Sequence, residues 1–284
     1  MSINKDDIKK IREMTGAGIG DCKIALEEAK GDFNRAIEVL RERGLVKAVK
    51  KADRSVSEGR VAIYQENYSG ILVKIECETD FVANSEDFRN FAKDIAKKIF
   101  DKKINKVEAI DNEIEQLRTS AVLKFNENIK ISEIILMNGD AKNPVFPYVQ
   151  MGRNGAIVQY ELDKEMPSDD ELKDLLFAIV VSVQFYKPEY YSMNDIPKNL
   201  IEEEMKIVEK QIANDPAFAN KPQNILQGII QGKARKSFTD KVFLECPFVR
   251  DESKKVSEII ANCEKKYNLK IKVKNFKFTN IGNN

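Results

Sequence analysis

The chain has 284 residues, of which 42% are hydrophobic and 33% charged, a balance that excludes a disordered chain and predicts about two folded domains. The net charge of +1 gives no global attraction to nucleic acid or to a membrane, and no apolar run approaches the roughly 20 residues that span a bilayer. The chain contains no His, and therefore lacks the usual general base near neutral pH and the commonest metal ligand.

The cysteines also argue against a metal site and a catalytic thiol. They stand at Cys22, Cys77, Cys246 and Cys263, and their spacing matches no CxxC motif. Without His they cannot complete a mixed Cys/His zinc set. We therefore expect reduced thiols, no metal site and no cofactor. The opening MSINKDDIKK shows no apolar secretory segment, and a cytoplasmic location is expected.

Residues 1–44 are predicted to form a module of three short helices. Asn4 is a candidate cap for the first helix. The second is predicted to end at Gly31, and the third to run from Asp32 to Gly44. The segment TGAGIG between the first two helices could suggest a phosphate-binding loop. However, no strand precedes it and no Gly-Lys-Ser/Thr follows, so a tight turn between helices is favoured.

A basic segment, LVKAVKKADRSV, is predicted to form a linker at residues 45–56. Its cations lie at Lys47, Lys50, Lys51 and Arg54. The ordinary interpretation is a solvated linker helix, and the alternative is a patch for an acidic partner.

A weak internal repeat organises the rest of the chain. Residues 59–76 resemble residues 146–161, and residues 86–99 resemble residues 170–183. Each copy shows a Gly-containing hairpin turn followed by a helix-spaced apolar face. The predicted fold class is therefore α+β, with a subdomain at 57–145 and a related one at 146–284, each with helices on an antiparallel sheet.

A helical hairpin is predicted to interrupt the second subdomain at about residues 198–236. Its first helix carries a heptad-like seam at Ile201, Met205, Val208 and Ile212. The segment DPAFANKP forms the bend. After the hairpin, TDKVFLE is predicted to be a strand, SKKVSEIIANCEKKY a helix, and LKIKVKNFKF the last strand.

The stretch CETDFVA places a large ring, Phe81, in a connection between a strand and a helix. Alternation puts Ile71, Val73 and Ile75 on one strand face and mostly polar residues on the other. Asn84 is a candidate cap for the next helix, which would pair Ala83 with Phe88 in a hydrophobic staple. From these residues alone, a core Phe that closes the end of the subdomain is favoured, and an exposed interface anchor is the alternative.

Two motifs together resemble the signatures of the elongation factor Ts family. They are IREMTGAGIGDCKIAL near the start and CETDFVAN after the strand, and YKPEYY, GKARKSF and CPFV are also similar to family landmarks. The resemblance covers nearly the whole chain. It departs from the family at Gln150, where many members carry a His, and at Asn84, where a basic residue is common.

The resemblance implies a guanine-nucleotide exchange factor and not an enzyme. It implies a heterodimer with elongation factor Tu, in its GDP-bound and nucleotide-free forms, and leaves higher assembly open. The motif Thr79, Asp80, Phe81 and Val82 would displace magnesium from the partner, with the Phe wedged between two helices of the GTPase. The N-terminal module would resemble ubiquitin-associated domains. Its implied partner-binding residues are Arg12, Thr15, Gly16, Gly18, Asp21 and Lys23.

Three other classes of function would each require different features of the chain. An adaptor would use the helical module to bind a partner without changing nucleotide release. A nucleic-acid binder would use the basic linker and the lysines between residues 265 and 277, but near-neutral charge and scattered aromatics argue against it. An enzyme would need a nucleophile–base pair or a metal set, which the sequence does not offer. Neither nucleic acid nor a membrane is expected as a direct partner.

Overall fold

Three helices open the fold, in a computed structural model that describes residues 4–218 and 222–282. They are α1 (Lys5–Thr15), α2 (Ile19–Glu28) and α3 (Phe33–Lys51). Asn4 caps α1 as predicted, since its side chain accepts a hydrogen bond from the amide of Asp6 at 3.2 Å. Gly16 follows α1 with a φ of 69°, a left-handed conformation that favours glycine. The interpretation of TGAGIG as a turn between helices is confirmed.

The prediction that the third helix stops at Gly44 is wrong. α3 continues to Lys51, so that residues 45–51 of the predicted linker are helical. Gly44 lies inside α3, where a Cβ atom would stand 3.0 Å from the carbonyl oxygen of Thr119. This glycine therefore allows a close approach to a later helix and does not end its own.

A three-stranded antiparallel sheet follows the helical module. Its strands are β1 (Glu58–Glu66), β2 (Ser69–Cys77) and β3 (Lys130–Met137), in the order β1-β2-β3. Between β2 and β3 lie α4 (Asp80–Asn84), α5 (Glu86–Asp101) and α6 (Asn112–Phe125). The inward face of β2, including Ile71 and Ile75, packs with Phe88 and Ile95 of α5 in one buried cluster. The sequence patterns had not assigned α6 or β3.

The polar face of β2 is not open to solvent. Lys74 and Glu76 are both buried and form an ion pair at 3.1 Å. Leu72 on the same face is fully buried. Segment 147–157 covers this face, because a Cβ atom on Gly155 would stand 3.1 Å from Cδ1 of Leu72. Both faces of β2 are therefore interior, as is usual for a central strand that is covered on both sides.

The chain divides into two compact units. The first comprises Met1–Asp140, Pro147–Ile157 and Lys277–Asn284, and the second comprises Ala141–Phe146 and Val158–Phe276. The remaining elements include a second three-stranded sheet, in the order β4-β5-β8, and a two-stranded β6-β7 ribbon. These elements are β4 (Val145–Gln150), β5 (Asn154–Leu162), α7 (Asp170–Tyr186), α8 (Lys198–Ala213), α9 (Gln223–Lys236), β6 (Pro247–Phe248), β7 (Asp251–Lys255), α10 (Val256–Tyr267) and β8 (Ile271–Asn280).

The α+β fold class is confirmed, and a pair of strands followed by a helix occurs twice, as the repeat predicted. The strand predicted for TDKVFLE is wrong. That segment forms two 3₁₀ turns, Thr239–Lys241 and Phe243–Glu245. The amide of Phe243 donates to the carbonyl of Tyr190 at 2.8 Å, so a neighbouring loop replaces strand pairing. The domain boundaries at 44, 56 and 145 stay predictions.

The helical hairpin has its own small core. Val208 and Ile212 of α8 are buried with Ile230 and Ala234 of α9 in a separate cluster. We predict that replacing residues 198–236 with a short Gly/Ser linker leaves a single cooperative thermal transition, because this cluster is satisfied within the hairpin itself. Thermal denaturation followed by circular dichroism would test this. Loss of the folded state on excision would show that the hairpin belongs to the main core.

All four cysteines are buried and unpaired. Burial raises the pKa of the Cys77 and Cys246 thiols to about 12, and it also raises the pKa of Cys22 and Cys263. Because the thiolate is the reactive form, we predict that the native protein at pH 8 reacts slowly with Ellman's reagent and that all four thiols react after unfolding. Fast reaction of a native thiol, or a disulfide found by mass spectrometry, would contradict this.

Candidate partner-binding site

The motif Thr79–Val82 begins a short helix. Thr79 caps α4 by accepting a hydrogen bond from the amide of Val82 at 3.3 Å. Phe81, the second residue of α4, is 85% exposed, and the carboxylate of Asp80 beside it is also exposed. The interpretation of Phe81 as a core residue is therefore wrong, and the interpretation as an exposed ring is confirmed.

The geometry of α4 explains this exposure. Ala83 is 1% exposed and belongs to the core of the first unit. Phe81 stands two residues earlier, which is roughly 200° around a helix, so it points away from that core. Asn84 does not cap the next helix as predicted. Ser85 does, because its hydroxyl accepts from the amide of Phe88 at 3.2 Å. α4 and α5 are thus two separate helices, and α4 carries Phe81 on its outer side.

A carboxylate from a distant segment fixes the start of α4. Glu127 accepts hydrogen bonds from the amides of Glu78 and Thr79, at 3.0 Å and 3.1 Å, and from the hydroxyl of Thr79 at 2.5 Å. Hydrogen bonds to an ionised acceptor are stronger than neutral ones. Three of them on one carboxylate hold the residue that caps the helix. Glu127 gives no signal in the sequence motif, because it lies far from the motif along the chain.

The side chain of the neighbouring Glu78 is fixed by contacts with the segment that follows Glu127 and with the segment that follows α3. Its Oε1 accepts from the amide of Asn128 at 2.6 Å, and its Oε2 lies 3.4 Å from the guanidinium of Arg54. The side chain of Asn128 donates to the backbone carbonyls of Ala52 and Arg54. The end of β2, the end of α6 and the end of α3 are therefore joined by hydrogen bonds directly behind α4.

The six residues named for the N-terminal module have different surroundings. The turn itself is formed by Thr15, Gly16 and Gly18, which cap or connect α1 and α2. Arg12 and Lys23 are exposed. Sequence reasoning missed two exposed apolar side chains beside this turn, Met14 and Ile19, although single exposed apolar residues are ordinary.

Asp21 has an internal role in the module. Its carboxylate lies 2.8 Å from Lys47 Nζ and 3.2 Å from Arg43 Nη2 on α3. Burial raises its pKa, but the hydrogen bonds and charges of Lys47 and Arg43 outweigh this, and the pKa of Asp21 lies below its ordinary value. The ion pairs tie α2 to α3 and occupy the carboxylate, so only part of the predicted surface is available to a partner.

Residues 4–218 and 222–282 contain no helix that combines the length and apolar character needed to cross a membrane. The same ranges contain no group of three or more Cys, Asp or Glu side chains placed to hold a metal ion. The prominent feature is instead an exposed aromatic ring on a helix whose start is fixed by hydrogen bonds. Aromatic rings are common anchors in protein–protein interfaces, so α4 is the candidate partner-binding site and protein binding is the class of function that it suggests.

Comparison with known proteins identifies the family. The family model described as "Elongation factor TS" matches residues 78–283, a range that includes the whole of α4. Elongation factor Ts of Aquifex aeolicus is 35% identical over 97% of this chain and 97% of its own length. The protein of the same name from a Nitratiruptor species is 36% identical over 93% of this chain and 88% of its own. Elongation factor Ts of Borrelia recurrentis is 35% identical over 99% of this chain and 100% of its own length. The chain belongs to the elongation factor Ts family.

Proposed function

We propose that this translation elongation factor binds elongation factor Tu and promotes the release of GDP, acting as an exchange factor and not as an enzyme. Its substrate is the GDP-bound partner, and its stable complex is a heterodimer with the nucleotide-free form. The family role supports a cytoplasmic site of action. The observation that carries the proposal is the 85% exposure of Phe81 on a helix fixed by Glu127.

The mechanism follows from what holds the nucleotide in such a GTPase. Backbone N–H groups, a cation and magnesium hold the phosphates, and a displacement of about an ångström weakens these contacts. Phe81 supplies a rigid wedge for this displacement, and the exposed Asp80 carboxylate next to it supplies a polar contact. No proton transfer is required. Because the factor favours the nucleotide-free form, nucleotide and factor weaken each other's binding reciprocally.

The N-terminal module supplies a second contact in this proposal. Arg12 and Lys23 are exposed near the turn, together with the apolar side chains of Met14 and Ile19. The side chain of Lys124 packs along this turn, where a Cβ on Gly16 would lie 2.9 Å from its Cδ. Lys124 also pairs with Asp87 of α5 at 3.0 Å. This continuity supports one partner that contacts both the module and α4.

The test is the rate of release of a fluorescent GDP analogue from elongation factor Tu. We expect acceleration at substoichiometric amounts of this protein, because each molecule dissociates and acts again. A stable complex with an unchanged rate of GDP release would support the adaptor function instead.

A further inference from the structure

Three cations gather beside the end of α4. Arg60 lies on β1, and Arg89 and Lys93 lie on α5. They line a common pocket of about 260 Å³ together with Val149 and Gly152. All belong to the first unit, and none was singled out by the sequence motifs.

The two arginines contact α4, the helix that carries Phe81, directly. Arg89 Nη2 donates to the carbonyl of Asn84 at 2.8 Å, and Arg60 Nη1 lies 3.5 Å from the carbonyl of Ala83. Backbone carbonyls at a helix end carry partial negative charge, which accounts for one contact by each arginine. A guanidinium has five N–H donors, so these contacts leave most of the donors of both arginines unused.

The cluster has no internal counter-charge. In the part of the chain that the structure describes, no carboxylate forms an ion pair within 4.0 Å of Arg60, Arg89 or Lys93. The next turn of α5 differs, because Lys97 pairs with Asp101 at 2.9 Å and Lys98 with Glu113 at 2.7 Å. Burial first, and then the charge of Arg89, lower the pKa of Arg60, as expected where two cations lie close together without an anion.

The pocket is shaped around Arg60. A Cβ atom at position 152 would stand 2.1 Å from its Nη2, so the absence of a side chain at Gly152 makes room for the guanidinium. Capping of α4 alone would not explain Lys93, nor why no ion pair neutralises these three cations among the described residues. A concave cluster of unneutralised cations concentrates positive potential and attracts anions.

We propose that Arg60, Arg89 and Lys93 form a receptor for an acidic side chain of the GTPase partner, which steers the docking of the partner onto α4. This inference rests on the proposed function. The occupant follows from continuity with Phe81, since α4 has five residues and is therefore about 7.5 Å long. A protein surface that receives Phe81 therefore comes close to the arginines that contact Ala83 and Asn84 at the other end of α4. Free nucleotide phosphate has the same charge, and a separate measurement distinguishes it.

The test compares two double variants with the native protein. R89Q/K93Q removes the two exposed members, and K97Q/K98Q is the matched control that removes two cations from the next turn of the same helix. Stimulated GDP release is measured across partner concentrations and from about 0.05 to 0.3 M salt, a range over which screening changes strongly. For R89Q/K93Q we expect kcat/KM to fall about tenfold at low salt, kcat to stay unchanged, and the salt dependence to become shallower, because rim charges act mainly on association. The control should retain both the native kcat/KM and the native salt dependence.

Other outcomes would overturn the inference. An unchanged kcat/KM, or a loss confined to kcat with the native salt dependence, would assign the arginines to holding α4 in place. Binding of GDP to this chain alone, measured by calorimetry and lost in R89Q/K93Q, would make the pocket a phosphate site. If the native protein does not stimulate release at all, the proposed function itself fails, which is a different result from failure of the variant.

Discussion

Phe81→Ala is expected to leave the melting temperature nearly unchanged while it slows stimulated GDP release by about tenfold or more, a factor of ten corresponding to about 1.4 kcal/mol of lost barrier lowering. The ring is 85% exposed, so its removal creates no cavity. Exposed substitutions usually change the free energy of unfolding by no more than about 0.5 kcal/mol. The measurement pairs thermal denaturation with the rate of release of a fluorescent GDP analogue.

Phe88→Ala is the matched control, since it removes the same kind of ring from α5, the helix that directly follows α4. Phe88 is fully buried, and its ring lies 5.5 Å from that of Phe125. Cutting a buried Phe to Ala costs about 3–5 kcal/mol, so this variant should be destabilised. The fraction that remains folded should still promote exchange. If both variants lose stability alike and their folded fractions exchange normally, Phe81 is not the wedge.

The exposure of Phe81 could not be decided from the local sequence. Strand alternation ends before it, and the five-residue helix that carries it is too short to show a periodic pattern. Which side of α4 faces the core depends on Ala83, a small residue whose burial gives no local signal. Resemblance to the family pointed to the correct exposure where the residue pattern favoured the core.

Sequence patterns predicted correctly those features that depend on contacts between residues close together in the chain. Asn4 and Asp32 cap their helices through hydrogen bonds to residues two and three positions away. Such caps can be predicted from the sequence because both partners lie in the same short segment. Gly44 was misleading, because its position is set by Thr119 on a helix that the patterns had not assigned. The predicted strand at TDKVFLE failed for the same reason, since Tyr190 supplies its backbone partner.

The role of Glu127 could not be predicted from local patterns either, because its partners, Glu78 and Thr79, are 49 and 48 residues away. It has the same kind of neighbours in sequence as many surface acids. Only the fold brings its carboxylate to the cap of α4, so a residue that positions the candidate site could be found only from the structure.

Glu127→Gln is expected to slow stimulated GDP release by about tenfold, a loss of about 1.4 kcal/mol of barrier lowering. The amide keeps the shape of the side chain but has one acceptor oxygen, which cannot serve both the amides of Glu78 and Thr79, now bound to Oε2, and the Thr79 hydroxyl, now bound to Oε1. The substitution also removes the negative charge that strengthens these bonds. Leaving such donors unsatisfied costs about 1–3 kcal/mol of stability. Release should therefore be measured at a temperature where the variant is fully folded.

A double-mutant cycle distinguishes positioning from simple support of the fold. If Glu127 acts by orienting Phe81, then Glu127→Gln should slow release in the native background and add little in the Phe81→Ala background, because the group that it positions is already gone. Glu113→Gln is the control. It removes a carboxylate from α6 that pairs with Lys98 and Lys102 and makes no contact with α4, and exchange should stay normal. Fully additive effects of Glu127→Gln and Phe81→Ala would mean that Glu127 does not work through the ring.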